Sequence, residues 1–150
     1  MQLSKTDFLQ FLHCAKSLWL LRRKPTLYQH GPFSDYLQKI VTEGYEIELY
    51  LKTFFSSQAD ADKYSYQTTF KTDEGLYAIA DCTRQNEDGT INIYEVKSST
   101  RVHRGSPQNQ VKDATFQKIA AEGTGLKVKS VFIVHLNGDY ARDGDIAAQE

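Results

Sequence analysis

The spacing of apolar residues along the chain changes period three times. Phe8, Phe11, Leu12, Ala15, Leu18 and Trp19 recur at helical spacing. Ser4 precedes them as an N-cap, and Asp7 stands where a capping-box acid belongs. Pro25 ends that helix just after Arg22-Arg23-Lys24. A second helix is expected from about Asp35 to Phe55, with Leu37, Ile40, Val41, Gly44, Leu51 and Phe55 on one stripe. From Tyr64 the period drops to two, and Tyr64, Tyr66, Thr68 and Phe70 predict a strand. Leu76 to Arg84 and Thr90 to Ser98 predict two more, joined by the hairpin signal Asn86-Glu87-Asp88-Gly89. Pro107 to Glu122 predicts a shorter helix closed by Gly123, and Val128 to Leu136 a last strand. Val131-Phe132-Ile133-Val134 is apolar on both faces, which suits a central strand in a covered sheet. The order is helix, helix, three strands, helix, strand, an α/β fold with a mixed sheet.

Composition narrows the class. The chain has 150 residues, enough for a single domain burying roughly 70% of its unfolded surface without disulfide staples. Hydrophobic residues are 40% and charged residues 25%, which argues against wholesale disorder. Lys and Arg number 18 against 19 Asp and Glu, so the chain does not coat nucleic acid by bulk charge. An enzyme whose acidic metal site offsets basic contacts elsewhere remains compatible. Cys14 and Cys82 are the two cysteines, too few for a self-contained four-cysteine zinc or iron–sulfur site. No apolar run reaches membrane-span length, and no secretory leader is expected at the start, so the expected compartment is the cytoplasm.

The candidate chemistry lies in four charged positions. Glu48 falls on the apolar stripe of the second helix, whereas Glu46 falls on the opposite face. An acid within an apolar stripe needs a partner, either a salt bridge or a cation. A hairpin symmetric about Asp88 pairs residues whose numbers sum to 176, which sets Asp81 opposite Glu95 on one face. Lys97 leaves that same face two residues later. Such a cluster fits a cross-strand salt-bridge network. On these residues alone that network is the preferred reading; the other is converging carboxylates that need a cation, for which Mg²⁺ or Mn²⁺ is the natural choice. A lysine beside that cation serves phosphodiester hydrolysis.

Asp81 followed by Glu95-Val96-Lys97 on the next strand resembles the D…(D/E)xK signature of the PD-(D/E)XK nuclease superfamily. The element order is similar to that superfamily's restriction-endonuclease-like αβββαβ core, here with two N-terminal helices. Cys14-Ala15-Lys16-Ser17-Leu18-Trp19 resembles the CxxxxW start of its RecB-like branch, which includes CRISPR-associated exonucleases. Gly44-Tyr45-Glu46-Ile47-Glu48 resembles the G-x-x-x-H segment, with Glu48 in the His slot. Asp113-Ala114-Thr115-Phe116-Gln117 resembles the segment whose glutamine follows the catalytic strands, although Ala121 replaces the Tyr of Q-x-x-x-Y. Ala80 stands where the signature has Pro.

The resemblance spans about Leu3 to Asn137 of a single domain, 1–150, which is shorter than the relatives and is either a trimmed domain or a compact member. It implies a Mg²⁺- or Mn²⁺-dependent deoxyribonuclease with Glu48, Asp81, Glu95 and the Val96 carbonyl as metal ligands. Lys97 would activate water or stabilise the transition state, and Gln117 would position substrate or lysine. No iron–sulfur cluster is expected, since Cys14 lacks the late cysteine trio. Arg101, His103 and Arg104 follow the catalytic strand in a loop and either grip the DNA backbone or form a solvated charged loop. Helicase or other defence or repair proteins are the implied partners. The alternative is a non-catalytic nucleic-acid- or protein-binding module of the same fold. Of the remaining positions, Cys14, Cys82 and Trp19 are expected to pack inside, Arg22-Arg23-Lys24 to sit on a helix dipole, and His13, His30 and His135 carry no assigned role.

Overall fold

The computed structural model describes residues 2–28, 35–105 and 109–141. It is a mixed α/β fold built on one five-stranded mixed sheet. The chain begins with β1 (Leu3–Ser4), α1 (Lys5–His13) and α2 (Ala15–Arg23), followed by a 3-10 turn at Pro25–Leu27. Then come α3 (Asp35–Ser56), β2 (Tyr64–Lys71), β3 (Leu76–Gln85), β4 (Ile91–Lys97), α4 (Gln110–Gly123) and β5 (Val128–His135). The expected helix and strand order is present, with three differences. The first helix is two helices, broken at Cys14, whose extended backbone (φ −161°) both ends α1 and starts α2. A two-residue strand, β1, precedes it. The fourth helix starts at Gln110; the expected start, Pro107, lies outside the described residues, as do His30 and the side chains of Leu37 and Ile40.

Strand β3 organises the sheet. It runs antiparallel to β2 along one edge, from Tyr77 to Arg84. Its other edge is shared: β1 pairs parallel with Leu76 and Tyr77, and β4 pairs antiparallel with Cys82 to Gln85. The β3–β4 pairs Cys82–Tyr94 and Thr83–Ile93 sum to 176, the expected register. Gly89, with φ 75°, takes the left-handed position of that hairpin. Strand β5 pairs parallel with β4 alone and forms the edge of the sheet. The expectation of a central strand is therefore overturned. Phe132 shows why: it stacks on Tyr94 at 5.1 Å on one side and leaves 44% of its surface exposed.

The two faces of the sheet carry different packing. Ile93 points to α4, joining Phe70, Ala78, Ala80, Phe116, Ala120 and Ala121 in the buried core. Ala121, the residue in the Tyr slot, is fully buried there and serves packing. Phe8 of α1 stacks on Phe116 at 5.1 Å and ties the N-terminal helix to this layer. Tyr94, one residue on, leaves the opposite face. It meets Phe55 of α3, which also stacks on Tyr64 at 4.3 Å. Helix α3 is thinly packed: Phe55 is buried, Gly44, Glu48 and Leu51 are half-buried, and Val41 is exposed. Glu46 is exposed, as its place on the opposite face predicts.

The capping box at Ser4 and Asp7 is present, each side chain bonded to the other's backbone N–H. Arg22 binds the Asp7 carboxylate and so locks α2 onto α1. This arginine is an ion-pair partner, not simply a charge on a helix dipole. Burial works to raise the Asp7 carboxyl, but hydrogen bonds from Arg22 and Ser4 outweigh it and bring its pKa down to about 2. Cys82 is buried as expected. Cys14 and Trp19 are exposed, against expectation, because the break at Cys14 turns α2 outward and leaves it without a buried residue. Lys24 lies over the Trp19 ring at 5.8 Å.

Candidate active site at the split between two strands

The β3 edge between β1 and β4 leaves Ala78 to Asp81 with no strand partner on that side among the described residues. Here the sheet opens, and the charged residues collect. The last ladder pair is Cys82–Tyr94. One step further, the Val96 backbone N–H donates to Asp81 Oδ2 at 2.7 Å instead of to a main-chain carbonyl of β3. A side-chain acceptor thus closes the ladder where the strands part.

Asp81 and Glu95 do not share a face as the register arithmetic predicts. Glu95 follows Ile93 in alternation and faces α4, whereas Asp81 lines a cavity of about 250 Å³ beneath α3, with Tyr45, Glu48, Lys52, Tyr66 and Gln67. The reason is a break in the strand alternation. Ala80 lies in the α4-side core, and Thr83, paired with Ile93, is on that same side, three residues away. Opposite the break, Gln67 of β2 has φ 52° and makes no ladder pair, although Tyr66 and Thr68 on either side do. Period-two counting across Asp81 and Cys82 therefore fails.

On the α4 side, Glu95 is 1% exposed and both its carboxylate oxygens accept hydrogen bonds. Oε1 accepts from Lys97 Nζ at 2.5 Å and from Lys5 Nζ at 3.0 Å, and Oε2 accepts from Gln117 Nε2. Lys97 also donates to Asp113 Oδ2 at 2.6 Å. Lys5 stands 3.3 Å from Asp113 Oδ1, a charge contact without hydrogen-bond alignment, so that oxygen has no donor among the described residues. Gln117 Oε1 has none either, and Gln117 is completely buried, not the exposed helix residue that its polarity suggests. Two ammoniums and two carboxylates alternate around a closed set: Lys5, Glu95, Lys97, Asp113. Burial opposes the charge on Lys97, but Glu95 and Asp113 outweigh it and hold the ammonium above the usual lysine range. Lys97 is therefore a proton-bearing cation at neutral pH. Burial, then the charge of Glu95, pushes the Asp113 carboxyl up against the pull of Lys5 and Lys97.

On the α3 side, Glu48 Oε2 accepts from Gln67 Nε2 at 2.9 Å. Burial and then Glu95 raise the Glu48 carboxyl above its ordinary value, with Lys5 and Lys97 opposing. Burial raises Asp81 as well; the Val96 N–H, Lys5 and Lys97 lower it, and Glu48 adds to the rise. Both carboxyls thus feel the lysines of the other side across the split. Two acids held in one cavity at a cost in solvation could take a divalent cation of the Mg²⁺ or Mn²⁺ class through their carboxylate oxygens, although Lys52 lines the same cavity and Gln67 already donates to Glu48. Such ions use one or two carboxylates, with waters and substrate phosphate completing the shell. Among the described residues no three ligand side chains are grouped to hold a metal as they stand, and Glu95 is bound by lysines instead.

The loop after β4 is tethered, not free. Gln110 accepts from the His103 backbone N–H at 2.9 Å, its own N–H donates to the His103 carbonyl, and its Nε2 donates to Ser99 Oγ at 3.0 Å. Arg101 and Arg104 are exposed and His103 is half-buried. The structure brings together Lys97, Glu95 and Gln117 directly, and places Asp81 and Glu48 with each other across the split. Lys5, Asp113 and Gln67 were missed as site residues. Lys5 and Asp113 have no distinguishing pattern around them in the sequence, and their meeting is a long-range contact across 108 positions of chain. Among the described residues no helix is long and apolar enough to cross a membrane. No known family model matches the chain, and no curated protein matches it.

Proposed function

We propose that this chain is a Mg²⁺- or Mn²⁺-dependent DNA nuclease with the restriction-endonuclease-like core of the RecB-like PD-(D/E)XK branch. The observation that carries the reading is the split between β3 and β4. Lys97 and Gln117 both donate to Glu95 on one side of it, while Asp81 and Glu48 line the cavity on the other side and Asp81 accepts from the Val96 N–H between them. Strands that part at an acid-and-lysine cluster leave room for a phosphate that an ordinary sheet salt bridge does not need.

Glu48, Asp81, Glu95 and the Val96 carbonyl would hold the cation. When bound, it supplies charge for the phosphate oxygens and lowers the pKa of water. Lys97, held charged by Glu95 and Asp113, compensates the negative charge that grows on phosphorus as water attacks. Gln117 fixes the orientation of Glu95 through Oε2. The water oxygen bonds to phosphorus as the P–O3′ bond breaks, leaving a 5′-phosphate and a 3′-hydroxyl. Arg101, His103 and Arg104, on the segment that follows β4, would contact the DNA backbone.

Glu95's engagement by two lysines and an amide favours a second reading: a salt-bridged, non-catalytic binding module of the same fold. Cleavage separates the two. Single- and double-stranded DNA are incubated with Mn²⁺ or Mg²⁺, with EDTA controls, for wild type and Lys97→Ala. The nuclease reading expects metal-dependent cleavage that the variant loses. Folded wild type that cuts neither substrate with either metal contradicts it.

A further inference from the structure

The lysine at the first position of α1 has no role in the reading above, yet it is built into the site. Strand β1 pairs with β3 on the same edge that β4 joins further along. That pairing, with the capping box at Ser4, fixes the start of α1 at the mouth of the gap. From there Lys5 Nζ reaches Glu95 Oε1 at 3.0 Å and Asp113 Oδ1 at 3.3 Å. Its side chain is 23% exposed, while those of Glu95 and Asp113 are 2% and 5% exposed. Lys97 already serves both acids, at 2.5 and 2.6 Å. With Lys97 alone the buried set would carry one net negative charge; with Lys5 it is neutral.

We propose that Lys5 is an internal counter-ion that competes with the divalent cation for Glu95. The inference rests on the nuclease reading for the identity of the cation. The argument is one of occupancy and charge. Glu95 has two oxygens; Oε2 is taken by Gln117 and Oε1 by both lysines. A cation that takes Glu95 through Oε1, the oxygen both lysines share, must displace one of them. Lys97 is held at shorter distances to both acids, so Lys5 is the one that yields. Lys5 is thus a positioning residue: it neutralises Glu95 in the resting protein, steadies the split, and sets how tightly the site takes metal.

This role predicts an effect opposite to that of a merely structural lysine. Removing Lys5 strips a positive charge from beside the cation's ligands and should tighten metal binding, by about tenfold or more. A structural lysine, once lost, would loosen the site and weaken it. The experiment is Mn²⁺ titration of the full chain by calorimetry, for wild type, Lys5→Met, Lys5→Arg and Asp81→Asn, without DNA. The double variant Lys5→Met/Asp113→Asn keeps the buried set neutral and preserves the fold if Lys5→Met alone does not. The expected result is tighter Mn²⁺ binding in Lys5→Met and in the double variant, near wild-type binding in Lys5→Arg, and weakened binding in Asp81→Asn. Equal or weaker binding in folded Lys5→Met, or in the double variant, overturns the role of Lys5 while leaving the metal site intact. If none of the proteins binds Mn²⁺, or Asp81→Asn binds as wild type does, the metal reading itself falls.

Discussion

Replacing Lys97 by Met tests the buried charge set by its energetics alone, whatever the reaction. The substitution keeps most of the side-chain volume and removes the ammonium from 2.5 Å of Glu95 Oε1 and 2.6 Å of Asp113 Oδ2. Two carboxylates, 2% and 5% exposed, are then left with Lys5 as their one cation. Taking one partner from a buried ion pair costs about 3–5 kcal/mol. Lys97 is 22% exposed and Lys5 remains, so the lower end applies, about 3 kcal/mol. For a chain of this size that corresponds to a fall in Tm of roughly 6–12 °C. Adding Asp113→Asn removes the surplus negative charge and should recover about half of the loss or more. Acid provides a second check. Asp113 has a raised carboxyl in the fold, so its charged form is disfavoured above that pKa and the penalty is relieved as pH falls through it. The deficit of Lys97→Met should therefore shrink as pH falls from neutrality through the raised Asp113 pKa, whereas a lost packing contact would not respond. Thermal and urea unfolding followed by circular dichroism measure all three effects. A loss below about 1 kcal/mol, the size seen for exposed pairs, with no rescue by Asp113→Asn, would refute the account of the cluster.

Other consequences are open to equally direct measurement. The Asp7 carboxyl, at about 2, contributes stability that is fully present above the unfolded value of 3.8 and is lost as pH falls toward 2. Asp7→Asn should cost about 2 kcal/mol at pH 7 and almost nothing at about pH 2, read from urea midpoints at each pH. Gln117→Leu keeps the buried volume but leaves Glu95 Oε2 without its donor, and should cost about 1–3 kcal/mol in urea unfolding. Phe55 is the buried anchor of α3 on the sheet, so Phe55→Ala should cost about 3–5 kcal/mol and speed hydrogen exchange along α3 more than along α4.

Local chemistry made much of the fold legible. The switch from helical spacing to alternation, and the hairpin residues before Gly89, determine the elements and the β3–β4 register to the residue. What failed depends on contacts far apart in sequence. Cys14 breaks a helix whose periodicity runs straight through it. The apolar run of β5 reads as central, yet its composition does not encode which neighbours it has. At the site, Asp81, Glu95 and Lys97 stand out by spacing, and Glu48 by its place on an apolar stripe. The opposite facing of Asp81 and Glu95 was hidden, because one left-handed residue on a different strand, Gln67, accompanies the break in alternation. Lys5 and Asp113 were hidden for a plainer reason. A lysine and an aspartate on helices carry no local signal, and only the closed fold turns them into partners of Glu95 and Lys97.

Asp81 allows the reading to be tested without the ambiguity of unfolding. Its carboxyl is raised mainly by burial and further by Glu48, so the charged form weakens the fold at neutral pH. Asn at this position keeps an acceptor for the Val96 N–H and removes that charge. Asp81→Asn should therefore melt at or above the wild-type temperature. The most direct measurement is DNA cleavage with Mn²⁺ by wild type and Asp81→Asn side by side, with the melting temperature of each taken in the same buffer. The account predicts cleavage by wild type and none by a variant that is at least as stable. Cleavage by Asp81→Asn at the wild-type rate, or none by folded wild type, would contradict it.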